Sequence, residues 1–113
     1  MPRAAILVLT QMPDRSSAEA LARALLESRL AACVSIGAAM RSLYHWRGQI
    51  EMAEEVPVIV KTCDDVYAAV EKAIRDRHPH ELPEIIVVPV TAGLHDYLDW
   101  IDRETRPDRR DGA

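Results

Sequence analysis

Apolar positions along this chain fall into two periods, and the places where one gives way to the other mark out its elements. Residues 4–9 are continuously apolar, as in a strand buried on both faces. Met12-Pro13-Asp14 interrupts that run, and Ser16-x-x-Glu19 has the spacing of a capping box at a helix start. Leu21, Ala22, Leu25 and Leu26 recur on one helical face, so a helix is expected to about Arg29. Cys33 to Ile36 opens a second strand, which residues 41–46 continue in alternation. Leu43 and His45 point one way there; Ser42, Tyr44 and Trp46 point the other. Gly48-Gln49 suits a hairpin turn. A third strand returns from Ile50 to Thr62, and Pro57 within it must sit at a bulge or an edge, having no N–H for a ladder. Asp64 or Asp65 is expected to cap a second helix whose stripe is Val66, Ala69, Val70, Ala73 and Ile74. A polar segment, residues 78–84, leads into a fourth strand over residues 85–90. Gly93 stops that strand, and Leu94, Tyr97, Leu98 and Ile101 mark a short third helix.

The order β-α-β-β-α-β with a trailing helix predicts an α+β, ferredoxin-like domain built on an antiparallel four-stranded sheet. Residues 1–104 are expected to form this single domain and residues 105–113 a polar C-terminal tail. Two crossover helices would cover one face of such a sheet. The other face should be polar if it met water, yet strands one, three and four are apolar on both sides. An exposed patch of that size exceeds what monomers tolerate, and the third helix is too short to cover it. A second subunit is the expected cover.

Composition narrows the function classes. The 113 residues make one domain, and 49% hydrophobic with 28% charged residues is ordinary for a globular protein. A formal charge of −4 argues against a nucleic-acid surface, and no apolar run approaches the length that spans a bilayer. The N-terminus lacks signal-peptide patterning, and Cys33 and Cys63 sit in apolar surroundings as free thiols would, so a cytoplasmic protein is expected.

The densest chemistry lies in His78-Pro79-His80-Glu81-Leu82-Pro83-Glu84, which holds two of the chain's four histidines. A connection that only turned would use Gly, Asn or Ser; here two prolines stiffen the frame that carries imidazoles and carboxylates. His78, His80 and Glu81 are the candidate metal ligands. A copper(II) ion would accept such a carboxylate-assisted pair of nitrogens more readily than zinc, which wants three or four protein ligands. The competing account is that these groups form hydrogen bonds at a subunit contact. Cys33, Tyr44, Trp46, Lys61 and Glu84 are candidates for a ligand cleft or an interface. For Tyr44 and Trp46, anchoring a long hairpin accounts for their direction equally well. Lys61 in an apolar strand is expected to reach a carboxylate at an interface.

Three stretches together resemble the CutA family of divalent-cation tolerance proteins. They are Ala31-Ala32-Cys33-Val34; Ser42-x-Tyr44-x-Trp46-x-Gly48-x-Ile50 with Glu54-Glu55 and Lys61-Thr62; and His78-Pro79-x-Glu81-x-Pro83-Glu84-Ile85 with Pro89, Gly93 and Tyr97-Leu98-x-Trp100. The resemblance implies a homotrimer of ferredoxin-like subunits, similar in architecture to the PII signalling proteins, with a link to copper and other divalent cations and with no enzymatic activity. Copper ligation in some members is associated with a cysteine near the end of the first strand and with paired histidines ahead of the proline. Here Thr10 and its neighbours stand at the first position and Arg77 precedes His78, while His80 replaces the family's usual tyrosine. No Gly-x-Ser-x-Gly and no phosphate-cradling glycine loop is present, and the asparagine that acylphosphatases of this fold require is absent from the chain. A metal-responsive protein and a PII-like small-molecule-binding or signalling trimer are the two classes that remain.

Overall fold

The computed structural model describes residues 3–107. Five strands and three helices follow one another as β1 (Ala5–Met12), α1 (Arg15–Glu27), β2 (Cys33–Ile36), β3 (Met40–Trp46), β4 (Gln49–Cys63), α2 (Tyr67–Arg77), β5 (Ile85–Pro89) and α3 (His95–Glu104). Every strand pairing is antiparallel, and the sheet runs β2–β4–β1–β5, with β3 paired to the outer half of β4. This is the ferredoxin-like arrangement, with one correction: the expected second strand is two strands, which makes five in all.

Pro57 causes the break. Its carbonyl accepts from the Gly37 N–H at 3.0 Å, so its N side faces the same edge of β4, where it has no hydrogen to offer. The ladder along that edge ends at Ile36↔Val58 and resumes at Met40↔Glu55. Residue 37 is glycine because a Cβ there would lie 2.9 Å from Pro57 Cγ. The hairpin turn is Arg47-Gly48, one residue earlier than the sequence pattern predicts. Both residues have positive φ, 53° and 79°, as a type I′ turn requires.

Helix starts also differ from expectation. Asp14, not the Ser16 box, caps α1: its carboxylate accepts from the Ser17 N–H at 2.7 Å. Asp64 and Asp65 begin a 3-10 turn ahead of α2 and cap nothing. Asp64 accepts from the Ala4 N–H, and Asp65 takes the Arg3 guanidinium at 2.9 Å. Thr105, expected to begin a loose tail, is fully buried, and its carbonyl accepts from Arg3, so the ordered domain passes residue 104. The remainder of that predicted tail, residues 108–113, lies outside the described residues.

The core lies between the sheet and the pair α1 and α2. Ile6, Val8 and Met12 of β1 and Val56, Val58 and Val60 of β4 meet Leu21 and Leu25 of α1 and Val70 and Ile74 of α2. Alternation sends the neighbours of these residues to the opposite face. Register places Cys33, Lys61, Leu7 and Val88 in one row there, and Ser35, Ile59, Leu9 and Ile86 in the next. Ile59 is 37% exposed and Ile86 51%. A second uncovered region is the β3–β4 ribbon, because β1 reaches only Val56 and residues 49–55 pair with β3 alone. Leu43, Ile50 and Met52 are exposed along this ribbon, a two-stranded piece that is marginal by itself.

Candidate functional site

The polar loop, residues 78–84, closes against the C-terminal end of β1, and a single residue anchors it at both ends. The Gln11 main-chain carbonyl accepts from His78 Nε2–H at 2.7 Å, and the Gln11 side-chain amide donates to Glu84 Oε1 at 3.1 Å. Within the loop the His80 backbone N–H donates to His78 Nδ1 at 3.1 Å, and the two imidazoles lie 4.7 Å apart between centroids. A carbonyl partner on one nitrogen and an N–H partner on the other fix His78 as the neutral Nε2–H tautomer. Both of its ring nitrogens are therefore engaged. Glu81 turns outward and accepts from Arg47 at 3.1 Å across to the hairpin turn.

The geometry bears directly on a cation. Among the described residues the exposed His80 ring has no hydrogen-bond partner and Glu81 uses one oxygen, but both His78 nitrogens are engaged, so His78, His80 and Glu81 form no ready three-ligand set within one chain. A cation that used His78 would have to displace the His80 N–H from Nδ1, whereas Glu81 keeps Oε2 for a cation while Arg47 holds Oε1. Among the described residues, three metal-capable side chains converge elsewhere, at His95, Asp96 and Asp99, whose ligand atoms lie within 4.8 Å of one another. All three are exposed, and they sit at the positive end of α3, where the helix dipole opposes a cation. The His-x-x-x-Asp spacing of residues 95–99 is the sequence signal for this group.

The other candidates occupy separate places. Cys33 and Lys61 are register partners across β2 and β4, and the Lys61 ammonium stands 5.8 Å from the Tyr97 ring centroid of α3. The carboxylate expected for Lys61 belongs to an interface, and among the described residues of one chain no carboxylate pairs with it. Tyr44 and Trp46 lie on the β3 ribbon, opposite Glu51 and Gln49, with the Arg47 guanidinium 5.4 Å from the Trp46 ring. Cys33 and Cys63 are both free thiols; Cys63 is buried, and burial pushes its thiol above the ordinary value. Gln11 and Arg47, which organise the loop from 67 and 34 residues away, carry no local sequence signal.

Burial holds the His78 pKa below the ordinary histidine value, and the nearby His80 adds to this; the Gln11 carbonyl and the Glu55 charge oppose it. In the unfolded chain the same group titrates near 6.5. As pH falls below about 6.5 the unfolded state therefore takes up the proton first, and the stability that His78 contributes, complete above that value, is lost. Urea midpoints measured between pH 7.5 and 5.5 should fall more steeply in the wild type than in a His78→Gln variant. Equal slopes would show that His78 is not held neutral.

Comparison with known proteins follows the same outline. The family model described as "CutA1 divalent ion tolerance protein" matches residues 6–104. The divalent-cation tolerance protein CutA of Pectobacterium atrosepticum is 39% identical over 102 residues, covering 90% of this chain and 93% of its own. That of Thermus thermophilus is 35% identical over 99 residues, covering 88% and 96%. Among solved structures, CutA from Xylella fastidiosa superposes with a TM-score of 0.88 at 38% identity, covering 91% of this chain and 99% of its own. The family model and the two relatives are named for tolerance of divalent ions or cations. With the family model spanning nearly all of the described domain, this chain belongs to the CutA1 divalent ion tolerance family.

Proposed function

We propose that the protein serves tolerance of divalent cations as a non-catalytic homotrimer, and that it contacts copper(II) or a similar ion loosely through the loop of residues 78–84. Support for assembly comes from the two uncovered apolar regions, the outer sheet face and the β3–β4 ribbon. Three copies can cover both by packing sheets together and by pairing exposed strand edges. For the cation, the exposed His80 ring and Glu81 carboxylate stand on a loop fixed by Pro79, Pro83 and Gln11, with His78 Nδ1 beside them. Two free cysteines suit a reducing compartment such as the cytoplasm.

The second reading is a PII-like trimer that binds a small molecule and has no dedicated metal site. What favours it is the engagement of His78 on both nitrogens and of Glu81 by Arg47. Calorimetric titration with copper, zinc and adenine nucleotides separates the two. The cation reading expects weak copper binding that disappears in the His78→Ala, His80→Ala double variant and that fades as falling pH protonates the imidazoles. Unchanged copper affinity in a double variant of unaltered mass would remove the loop from consideration.

A further inference from the structure

We propose that the loop of residues 78–84 takes copper(II) on three nitrogens: His78 Nδ1, the His80 ring and the His80 backbone nitrogen. The ion replaces the amide proton that now lies between the first and the last. The inference rests on the cation reading and supplies its ligand atoms. Two imidazoles alone fall short of the three protein ligands that hold an ion firmly, and Glu81 shares its carboxylate with Arg47. The backbone supplies the missing donor. The His80 nitrogen lies 3.1 Å from His78 Nδ1. Two nitrogens each about 2.0 Å from one ion, at right angles, stand about 2.8 Å apart, so this pair is already close to the spacing of neighbouring positions around a tetragonal ion.

Each neighbour favours that exchange. The Gln11 carbonyl takes the Nε2 proton of His78 at 2.7 Å, which leaves the lone pair on Nδ1, the nitrogen that meets the His80 amide. Pro79 has no N–H, so the His80 amide is the only one between the two rings, and the proline holds the backbone that spaces them. The His80 ring is exposed, 4.7 Å from the His78 ring between centroids, and its Nδ1 can close a chelate with the backbone nitrogen of its own residue. One copper–nitrogen bond forms as one N–H bond breaks, the proton passes to solvent, and the copper stays copper(II). Copper(II), anchored by an imidazole and preferring a tetragonal set of nitrogens, displaces an amide proton near neutrality; zinc, with no such preference, does not. None of these atoms belongs to the outer sheet face or to the ribbon that other copies of the chain are expected to cover.

Copper(II) and zinc chlorides are the probes. Each is titrated by calorimetry, in two buffers of different ionisation enthalpy, into the wild type, His80→Ala and the His78→Ala, His80→Ala double variant, with the mass of each protein measured in parallel. The wild type should release about one proton per copper beyond what the double variant releases. It should also show circular dichroism in copper's visible absorption, because a backbone nitrogen sets the ion beside a chiral carbon and a side-chain imidazole does not. Zinc should bind about tenfold or more weaker than copper, and His80→Ala should weaken copper by a similar factor. The double variant should lose the visible signal. Copper binding that releases no proton and gives no visible circular dichroism, yet is lost in the double variant, would overturn the backbone nitrogen and leave the loop as the cation's contact. No copper binding to the wild type, as when a neighbouring copy buries the loop, would overturn both readings, and so would binding that the double variant retains.

Discussion

Aspartate in place of Ile59 should convert the assembled protein to monomer or aggregate and lower its melting temperature by roughly 10 °C or more. Ile59 stands in the middle of the row Ser35, Ile59, Leu9 and Ile86 on the sheet face away from α1 and α2. In a lone chain its side chain is 37% exposed, so a carboxylate there would reach water at modest cost. In a trimer that closes over this face, symmetry would bury three carboxylates together. Each unpaired charge would cost several kcal/mol, and the three would repel one another. The size of the effect therefore reports whether the face is covered. Sedimentation and melting of the variant at two protein concentrations measure it. A variant that stays assembled and melts within a degree or two of the wild type would show that the face is open.

The second large effect is expected at Arg3. Its side chain is 15% exposed and fastens three parts of the chain at once. It reaches Asp65 at the start of the 3-10 turn, the Asp102 carboxylate and carbonyl of α3 at 2.9 Å each, and the Thr105 carbonyl beyond α3. Truncation to alanine leaves those acceptors without their donor and detaches the end of α3 from β1. Removing one partner of a fully buried pair costs about 3–5 kcal/mol. Because Asp65 and Asp102 remain partly in water, about 2–3 kcal/mol is the expected loss here. Lysine should recover only part of it, since a single ammonium cannot serve separate acceptors in the guanidinium's fork. Urea unfolding of Arg3→Ala and Arg3→Lys measures both. A loss under 0.5 kcal/mol in the alanine variant would show that the clasp adds nothing to holding α3.

The fold is largely legible in the sequence because each element carries its own periodicity. Residues 4–9 form the continuous apolar run of a strand buried on both faces, and Leu21, Ala22 and Leu25 of α1 recur as a buried helical stripe must. What escapes is whatever depends on distant partners. Pro57 announces a ladder defect, but only its meeting with Gly37 shows that the neighbouring strand breaks in two. Asp64 and Asp65 have the composition of a helix cap, yet the N-terminal end of β1 claims both carboxylates first. Thr105 looks like the start of a polar tail until Arg3 reaches its carbonyl from 102 residues away.

The candidate site is legible in part, for the same reason. The prolines and histidines of residues 78–84 mark a rigid, chemically dense loop, and the structure brings His78, His80 and Glu84 together there around Gln11. Sequence alone does not reveal that Gln11 and the His80 N–H engage both His78 nitrogens, or that Arg47 reaches Glu81 from the hairpin turn. It also separates Cys33 and Lys61 too little from Tyr44 and Trp46: the first pair lies on the sheet face beside α3, the second on the projecting ribbon.

The molar mass of the wild-type protein in solution is the most direct measurement of the central claim, that this chain completes its structure with copies of itself. Light scattering across a hundredfold range of concentration should return three chains per particle throughout. A monodisperse single chain, with its outer sheet face and its β3–β4 ribbon in water, would contradict the account.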